Sequence, residues 1–114
     1  MATLPQSIRA LELIAHRFKL LSEPSRLRLL VCLREGERTV TDLAEHAGLT
    51  QANASQQLTM LADGGLILRH KEHGKTWYRL ADASILDLYQ LVCRSLREHD
   101  GALADSLRDT AFPS

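Results

Sequence analysis

Apolar residues recur every three or four positions near the start of the chain, which is the spacing of helices. Residues 5–21 show this spacing along one side, and Pro5 suits the first turn of the helix that they predict. Residues 24–34 are apolar on nearly every side and follow a capping residue, either Ser22 or Glu23. We therefore expect an amphipathic helix followed by a buried central helix.

Two further helical patterns follow, with a tight turn between them. The third predicted helix covers residues 39–46 and begins with Thr39 in a capping pair. A turn that contains Gly48 leads to a fourth helix over residues 51–62, which Thr50 caps. The fourth helix has one apolar stripe, formed by Ala54, Leu58 and Leu61. A short helix, a tight turn and a second helix make a helix–turn–helix, whose second helix enters the major groove of DNA.

The second half of the chain predicts a hairpin and a final helix. Residues 66–71 and 76–80 are strand-like, and the tip between them contains Gly74, where a positive φ is expected. A fifth helix covers residues 83–99. The predicted fold class is therefore mainly α with a small β-hairpin wing (α+β), a winged helix–turn–helix in the order ααααββα.

We expect residues 1–114 to form a single winged helix–turn–helix domain, since a chain of 114 residues is too short for two. The helix–turn–helix covers about residues 39–62, and the wing covers about residues 66–81. No apolar run approaches the length that spans a bilayer, and no secretory signal opens the sequence. We therefore expect a cytoplasmic protein without a membrane partner.

The net charge of zero hides an uneven distribution. Residues 39–63 carry no Lys or Arg and three acidic residues, whereas residues 64–81 carry four basic residues and one acidic residue. A fold that turns the 64–81 segment toward a ligand can bind phosphate despite the overall balance. The charge pattern therefore does not exclude a nucleic-acid partner.

The fourth helix presents uncharged hydrogen-bonding side chains, which are suited to base edges in the major groove. The predicted base-contacting residues are Thr50, Gln51, Asn53, Ser55, Gln56, Gln57 and Thr59. Phosphate affinity must then come from the wing. The predicted phosphate-contacting residues are Arg69, Lys71, His73 and Lys75. A solvated helix face and a charged hairpin edge that prevents aggregation are the alternatives.

Three segments resemble the ArsR/SmtB family of transcriptional repressors. Residues 18–30 (FKLLSEPSRLRLL) resemble the family signature LSDPTRLRIL. Residues 49–61 (LTQANASQQLTML) with residues 64–66 (GGL) resemble LSQSTVSRHLKVLREAGLV, and residues 71–80 (KEHGKTWYRL) resemble the wing pattern RREGRxVYYRL. The resemblance extends over about residues 10–98.

This resemblance implies an obligate homodimer that forms through the first and last helices, about residues 5–21 and 83–100. It also implies an operator in double-stranded DNA that the protein releases when an inducer binds. Ser55, Gln56 and Gln57 occupy the positions of the family letters SRH. The two glutamines replace Arg and His, so the resemblance does not give the operator sequence.

Metal-sensing members of the family bind the ion at one of two places. One is a Cys-x-Cys or similar at the start of the third helix, where this chain has residues 38–42 (RTVTD) without a thiol. The other is a set of Asp, His, His and Glu or His on the last helix. Its counterparts here are Asp82, Ser84, Ser95 and Glu98. Two carboxylates and two serines make a poor Zn²⁺ site. We therefore expect no metal and no cofactor.

The two cysteines are the remaining candidates for sensing. A further branch of the family, responsive to persulfide or oxidant, carries one cysteine on each of the helices that hold Cys32 and Cys93 here. The resemblance implies a redox or persulfide switch, with a thiol oxidant or persulfide as the suspected inducer. Cys32 falls about one position later than in that branch, and Cys93 about one turn earlier. Simple core packing and a metal or metalloid site that uses cysteine are the alternatives.

The sequence therefore predicts a DNA-binding transcriptional repressor that acts as a homodimer. The alternatives are a metal- or metalloid-responsive repressor and a winged-helix module that binds another protein. The sequence contains no nucleophile–base pairing, glycine-rich phosphate loop or metal triad, so we do not expect an enzyme.

Overall fold

The computed structural model describes residues 7–99, which fall into two compact units that divide after Ala81. The helices are α1 (Ile8–Leu20), α2 (Pro24–Cys32), α3 (Val40–Ala47), α4 (Gln51–Asp63) and α5 (Ser84–His99). The strands are β1 (Arg38–Thr39), β2 (Ile67–Glu72) and β3 (Lys75–Leu80). The first unit holds α1 to α4 and the sheet, and the second holds α5. The predicted class, mainly α with a small β-hairpin, is confirmed.

The antiparallel sheet has three strands in the order β1-β3-β2, one more than the sequence predicted. In the extra strand, Arg38 lies opposite Tyr78 and Thr39 lies opposite Trp77. The element order is therefore ααβααββα. A strand of two residues is too short to show an alternation of apolar and polar positions, and its partner strand lies far along the chain. No local sequence pattern therefore predicts it.

The helix ends are close to those predicted. α1 begins at Ile8 with Ser7 as its N-cap, later than expected, and Pro5 lies outside the described residues. α2 ends at Cys32 rather than at Arg34. The predicted capping residues are in place, and each accepts a hydrogen bond from the backbone N–H three residues on. These caps are Glu23 at 3.1 Å from Arg26 N, Thr39 at 3.2 Å from Asp42 N, and Thr50 at 3.1 Å from Asn53 N.

The core of the first unit joins α2, α3, α4 and the start of β2. Its largest fully buried side chains are Leu29, Leu33, Leu43, Leu58, Leu61 and Ile67. Ala44 and Ala54 are also buried, and small side chains let two helices approach closely. Gly48 ends α3 with a φ of 69° in the left-handed region, which glycine adopts without strain. These contacts fix the angle between α3 and α4, as a helix–turn–helix requires.

The wing hairpin closes in a two-residue turn. Glu72 pairs with Lys75 across the strands, and His73 and Gly74 between them have φ values of 52° and 75°. Positive φ at both central positions is the pattern of a type I′ turn, which matches the right-handed twist of the strands. The predicted positive φ at Gly74 is confirmed, and the turn holds the wing tip in one shape.

Among the described residues of the first unit, one charged side chain is buried, that of Arg26, which is 8% exposed. Its Nε donates to the Leu20 carbonyl at 2.7 Å, and its Nη2 donates to the Lys19 carbonyl at 3.3 Å. Its Nη1 donates to Oε1 of Gln57 at 2.9 Å. The last carbonyls of a helix have no partner within the helix and carry its negative dipole end. Arg26 therefore completes the end of α1 and ties it to α4.

Two other arginines serve helix ends in the same way. Nε of Arg38 donates to the Cys32 carbonyl, the last of α2, at 2.8 Å. Nη1 of Arg28 donates to the Ala47 carbonyl, the last of α3, at 3.4 Å. A cation at a helix C-terminus is favoured by the dipole as well as by the hydrogen bond. The basic residues of the first forty positions are therefore partly structural.

The helices also expose apolar side chains. On α1 the exposed large apolar residues are Ile8, Leu11, Leu13, Ile14 and Phe18. On α5 they are Leu91, Val92 and Leu96. None of the helices within residues 7–99 is long and apolar enough to cross a membrane.

Replacing Arg26 should destabilise the fold more than replacing Arg28 on the same helix. Arg26→Met removes the bonds that the guanidinium donates to Leu20, Lys19 and Gln57 and leaves these buried or partly buried acceptors unpaired, which should lower the free energy of unfolding by about 2–4 kcal/mol. Arg28→Met removes one long bond from an exposed side chain and should cost under about 1 kcal/mol. Urea denaturation of both variants measures the difference. Equal losses would contradict the role assigned to Arg26.

Candidate nucleic-acid interface

The outward face of α4 is polar and uncharged. Gln51, Ser55 and Gln56 are exposed, whereas Asn53 is half-buried at the edge of the same face. The opposite side of α4 carries its buried stripe, which holds the helix against α2 and α3. A rigid helix that presents amides and hydroxyls has the groups needed to bind base edges, with little phosphate affinity of its own.

Gln57, in contrast to Gln51, Ser55 and Gln56, is half-buried. Its Oε1 accepts from Arg26 at 2.9 Å, and its Nε2 donates to Oδ1 of Asn53 at 3.3 Å. The structure therefore places this predicted base-contacting residue in an internal chain of hydrogen bonds. Sequence spacing alone could not show this, because Arg26 lies 31 positions earlier.

Two of the predicted hydroxyl groups also have partners within the helix. Thr50 uses its Oγ1 as the N-cap of α4. Oγ1 of Thr59 donates to the Ser55 carbonyl at 3.0 Å. Such bonds to the backbone compete with bonds to a ligand. Gln51, Ser55 and Gln56 are therefore the side chains of α4 most available to a partner.

Three cations of the wing lack a carboxylate within 4.0 Å among the described residues. Arg69, Lys71 and Lys75 are all exposed. Arg69 lies opposite the buried Tyr78, so its side chain leaves the sheet on the face that packs on the helices. Lys75 flanks the turn at the wing tip. The wing thus retains positive charge that no internal partner in this part of the chain neutralises.

The other face of the wing, which carries His70, Glu72 and Arg79 as well as Lys75, is internally paired except at Lys75. Glu37 lies 3.4 Å from Nδ1 of His70 and 3.8 Å from Nε of Arg79. Glu72 lies 3.5 Å from His70 and 3.8 Å from His73. These two contacts are ion pairs when the histidines are protonated. His73, a predicted phosphate contact, is therefore exposed at the turn beside a carboxylate. Arg69, Lys71 and Lys75 are better placed than His73 to neutralise phosphate.

A cleft of about 470 Å³ brings the wing tip to the starts of α3 and α4. Its lining residues are Thr39, Val40, Thr41, Asp42, Glu45, Gln51, Gly74, Lys75 and Thr76. Gln51 of α4 and Lys75 of the wing thus border the same depression. A partner that covers this surface meets the recognition helix and the wing together.

The acidic residues of the cleft differ in their surroundings. Nη1 of Arg38 lies 2.7 Å from Oδ2 of Asp42, and this hydrogen bond holds the pKa of Asp42 below its ordinary value. His46 adds to the same effect. Asp42 is therefore ionised near neutral pH and locally compensated. Glu45 has no ion-pair partner among residues 7–99, which leaves it as the repulsive group for phosphate in the cleft.

The two cysteines lie in different units and are both half-buried and reduced. Burial raises the pKa of the Cys32 thiol, and the nearby Arg38 charge opposes that effect. Burial, and then the neighbouring Cys93, raises the pKa of the Tyr89 hydroxyl. A raised pKa leaves less thiolate at neutral pH, so the Cys32 thiol is less reactive than a free cysteine in this state.

Residues 7–99 contain no group of three or more His, Cys, Asp or Glu side chains placed to hold a metal ion. Sequence analysis missed the part that Arg26 takes in positioning the helix. The available signal was an arginine in the largely apolar helix α2, since buried charges require partners, but the sequence does not show which of Arg26 and Arg28 is the buried one.

Comparisons with known proteins agree with this architecture. A family model described as "Bacterial regulatory protein, arsR family" matches residues 23–68. A "Probable mercury resistance operon repressor" from Streptomyces lividans is 35% identical over 80% of this chain and 72% of its own length.

Two solved structures extend the comparison to three dimensions. One is the homodimeric winged helix–turn–helix DNA-binding domain of a possible ArsR-family regulator from Mycobacterium bovis. It is 33% identical, with a TM-score of 0.71, over 85% of this chain and 93% of that chain. The other is reduced HlyU from Vibrio cholerae, 26% identical with a TM-score of 0.67, over 75% of this chain and 90% of that chain.

The raised pKa of Cys32 predicts slow alkylation at neutral pH. In a Cys93→Ser variant, the iodoacetamide reaction rate of Cys32 should rise with pH and reach half its maximum above the midpoint of a free cysteine peptide. Mass spectrometry of timed samples measures the rate. A Cys32→Ser variant, which retains Cys93, is the matched control. A midpoint below that of the free peptide would show that Arg38 outweighs burial.

Proposed function

We propose a mode of DNA binding for this chain. The chain belongs to the arsR family of bacterial regulatory proteins, and it is a transcriptional repressor rather than an enzyme. In the proposal, α4 enters the major groove of an operator, and its exposed amides and hydroxyls contact base edges. The wing contacts the phosphate backbone beside that groove. Phosphate contacts set affinity and position, and base contacts set sequence preference.

The observation that carries this proposal is the separation of charge between the two elements. Gln51, Ser55 and Gln56 on α4 are uncharged and exposed. On the wing, Arg69, Lys71 and Lys75 are exposed cations without a carboxylate partner among the described residues. Lys75 and Gln51 border one cleft, so a single duplex can meet both elements. A module that binds only proteins has no need for this division.

We also propose that the repressor acts as a homodimer. α1 exposes large apolar side chains, including Ile8 at 76% and Phe18 at 54%, in a single protomer. An exposed apolar face of this kind marks an interaction site. The M. bovis neighbour is homodimeric, which supports the same assembly here. A two-fold dimer would place two recognition helices on half-sites about one helical turn apart, 10–10.5 bp.

The proposed inducer chemistry involves the two thiols. Modification of Cys32 and Cys93 by an oxidant or persulfide would release the operator. Two observations support this: both cysteines are free and only partly buried, and one structural neighbour, HlyU, was solved in a reduced form. The name of the S. lividans relative supports the alternative, a repressor that responds to a metal ion.

Two substitutions should separate base contacts from phosphate contacts. Gln56→Ala should weaken binding to the preferred sequence by about 1–3 kcal/mol per half-site and leave binding to random duplex nearly unchanged. Lys75→Ala should weaken both and lower the salt slope by about one for each protomer that contacts DNA. Fluorescence anisotropy over a salt series measures both effects, with the DNA upstream of the gene and a shuffled duplex as probes. Equal loss on the two duplexes for Gln56→Ala would contradict base contact.

Oxidation should weaken operator binding only when both thiols are present. Wild-type protein treated with polysulfide or a mild oxidant should bind the upstream DNA at least about tenfold more weakly than reduced protein, a change of about 1.4 kcal/mol. Cys32→Ser and Cys93→Ser should bind equally well before and after treatment. Equal binding by oxidised and reduced wild type would exclude the thiol switch, and release by metal ions in the absence of oxidant would favour the alternative.

A further inference from the structure

The chain of hydrogen bonds from Arg26 through Gln57 to Asn53 has a fixed polarity. A guanidinium has donors and no acceptor, so the amide atom of Gln57 that faces Arg26 must be the oxygen Oε1. Nε2 of Gln57 is then the group that faces Asn53, 3.3 Å from it. Because Arg26 is itself held by two carbonyls at the end of α1, it cannot turn away without losing those bonds.

The polarity continues to the surface of α4. Since Gln57 presents an N–H, Asn53 must present its oxygen Oδ1 inward. The Oδ1 half of the Asn53 amide is then bonded to Gln57, whereas its Nδ2 half has no hydrogen-bond partner among residues 7–99. Asn53 is half-buried on the edge of the polar face, so its Nδ2 is the part available to a base.

We propose that Arg26 and Gln57 are positioning residues that make Asn53 a hydrogen-bond donor in sequence recognition. This inference rests on the proposed binding of α4 in the major groove. An unconstrained asparagine pairs bidentately with adenine, donating to N7 and accepting from N6. Here Oδ1 is directed at Gln57, so Asn53 can donate but not complete that pair. Guanine, which presents two acceptors in N7 and O6, suits it better.

The same reasoning revises the predicted role of Gln57. Both ends of its amide are engaged, Oε1 by Arg26 and Nε2 by Asn53. Gln57 therefore acts on the DNA through Asn53 rather than by contact of its own. The preference at one base position would depend on Arg26, a residue that lies on another helix.

Gln57→Glu tests the polarity directly. The substituted carboxylate still accepts from Arg26, which preserves the buried bond, but it has no donor for Asn53. Asn53 should then turn its Nδ2 inward and its Oδ1 outward. Selection from a duplex library with a randomised centre should show the preferred base at one position of each half-site changing from guanine to a base with a donor, adenine or cytosine. The expected change in relative enrichment at that position is about fivefold or more.

Matched variants separate this effect from charge and from folding. Gln56→Glu adds the same charge at the neighbouring exposed residue. It should not change the preferred base from guanine to adenine or cytosine at the DNA position that Asn53 contacts. Asn53→Ala should erase the preference at that position, and adding Gln57→Glu to it should change nothing more there. Gln57→Met, which removes both bonds, should weaken the guanine preference and retain the other positions. Thermal unfolding confirms that each variant is folded.

The outcomes distinguish the two levels of the proposal. If wild-type protein enriches a sequence but Gln57→Glu leaves every base preference unchanged, the polarity inference is wrong while DNA binding stands. A folded Gln57→Met variant that keeps the full guanine preference also overturns it. If the wild-type protein enriches no sequence and binds DNA without salt dependence, the proposed function fails, and this inference fails with it.

Discussion

The buried guanidinium of Arg26 is the interaction on which the arrangement of the first unit depends. A charge removed from water is costly unless it is hydrogen-bonded to partners inside the protein. Arg26 meets that requirement with the last carbonyls of α1 and with Gln57 of α4. The end of one helix and the side of another are therefore bound to the same side chain. Leu20 adds apolar contact at that point, where it packs so closely on Gly64 that a Cβ there would collide with it.

The use of charged side chains within the fold, as at Arg26, explains how a chain without net charge can bind DNA. Arg26, Arg28 and Arg38 neutralise the negative ends of three helices, and Arg38 also pairs with Asp42. Glu37, which precedes β1, lies beside His70 and Arg79 of the wing, and Glu72 lies beside His70. Much of the formal charge is thus used within the fold. Three of the cations that remain, Arg69, Lys71 and Lys75, lie on the wing.

The elements that depend on local pattern could be predicted from the sequence. Apolar periodicity located the five helices within a few residues, and the caps at Thr39 and Thr50 followed from residue type. For α2, residue type left Ser22 and Glu23 open, and the structure has Glu23 as the cap. The turn at Gly74 was predicted because few residues tolerate positive φ. Local pattern could not locate β1, whose two residues are defined only by pairing with β3. Nor could it show that Gln57 is internally bonded, since that depends on where α2 crosses α4.

The central claim is that α4 occupies a major groove while the wing contacts backbone. Dimethyl sulfate and hydroxyl-radical footprinting on the DNA upstream of the gene measure these two contacts in one complex. The account predicts guanine N7 protection in two half-sites, with centres about one helical turn (10–10.5 bp) apart, and sugar protection flanking each half-site. Backbone protection without any N7 protection, or protection of the minor groove alone, would contradict it.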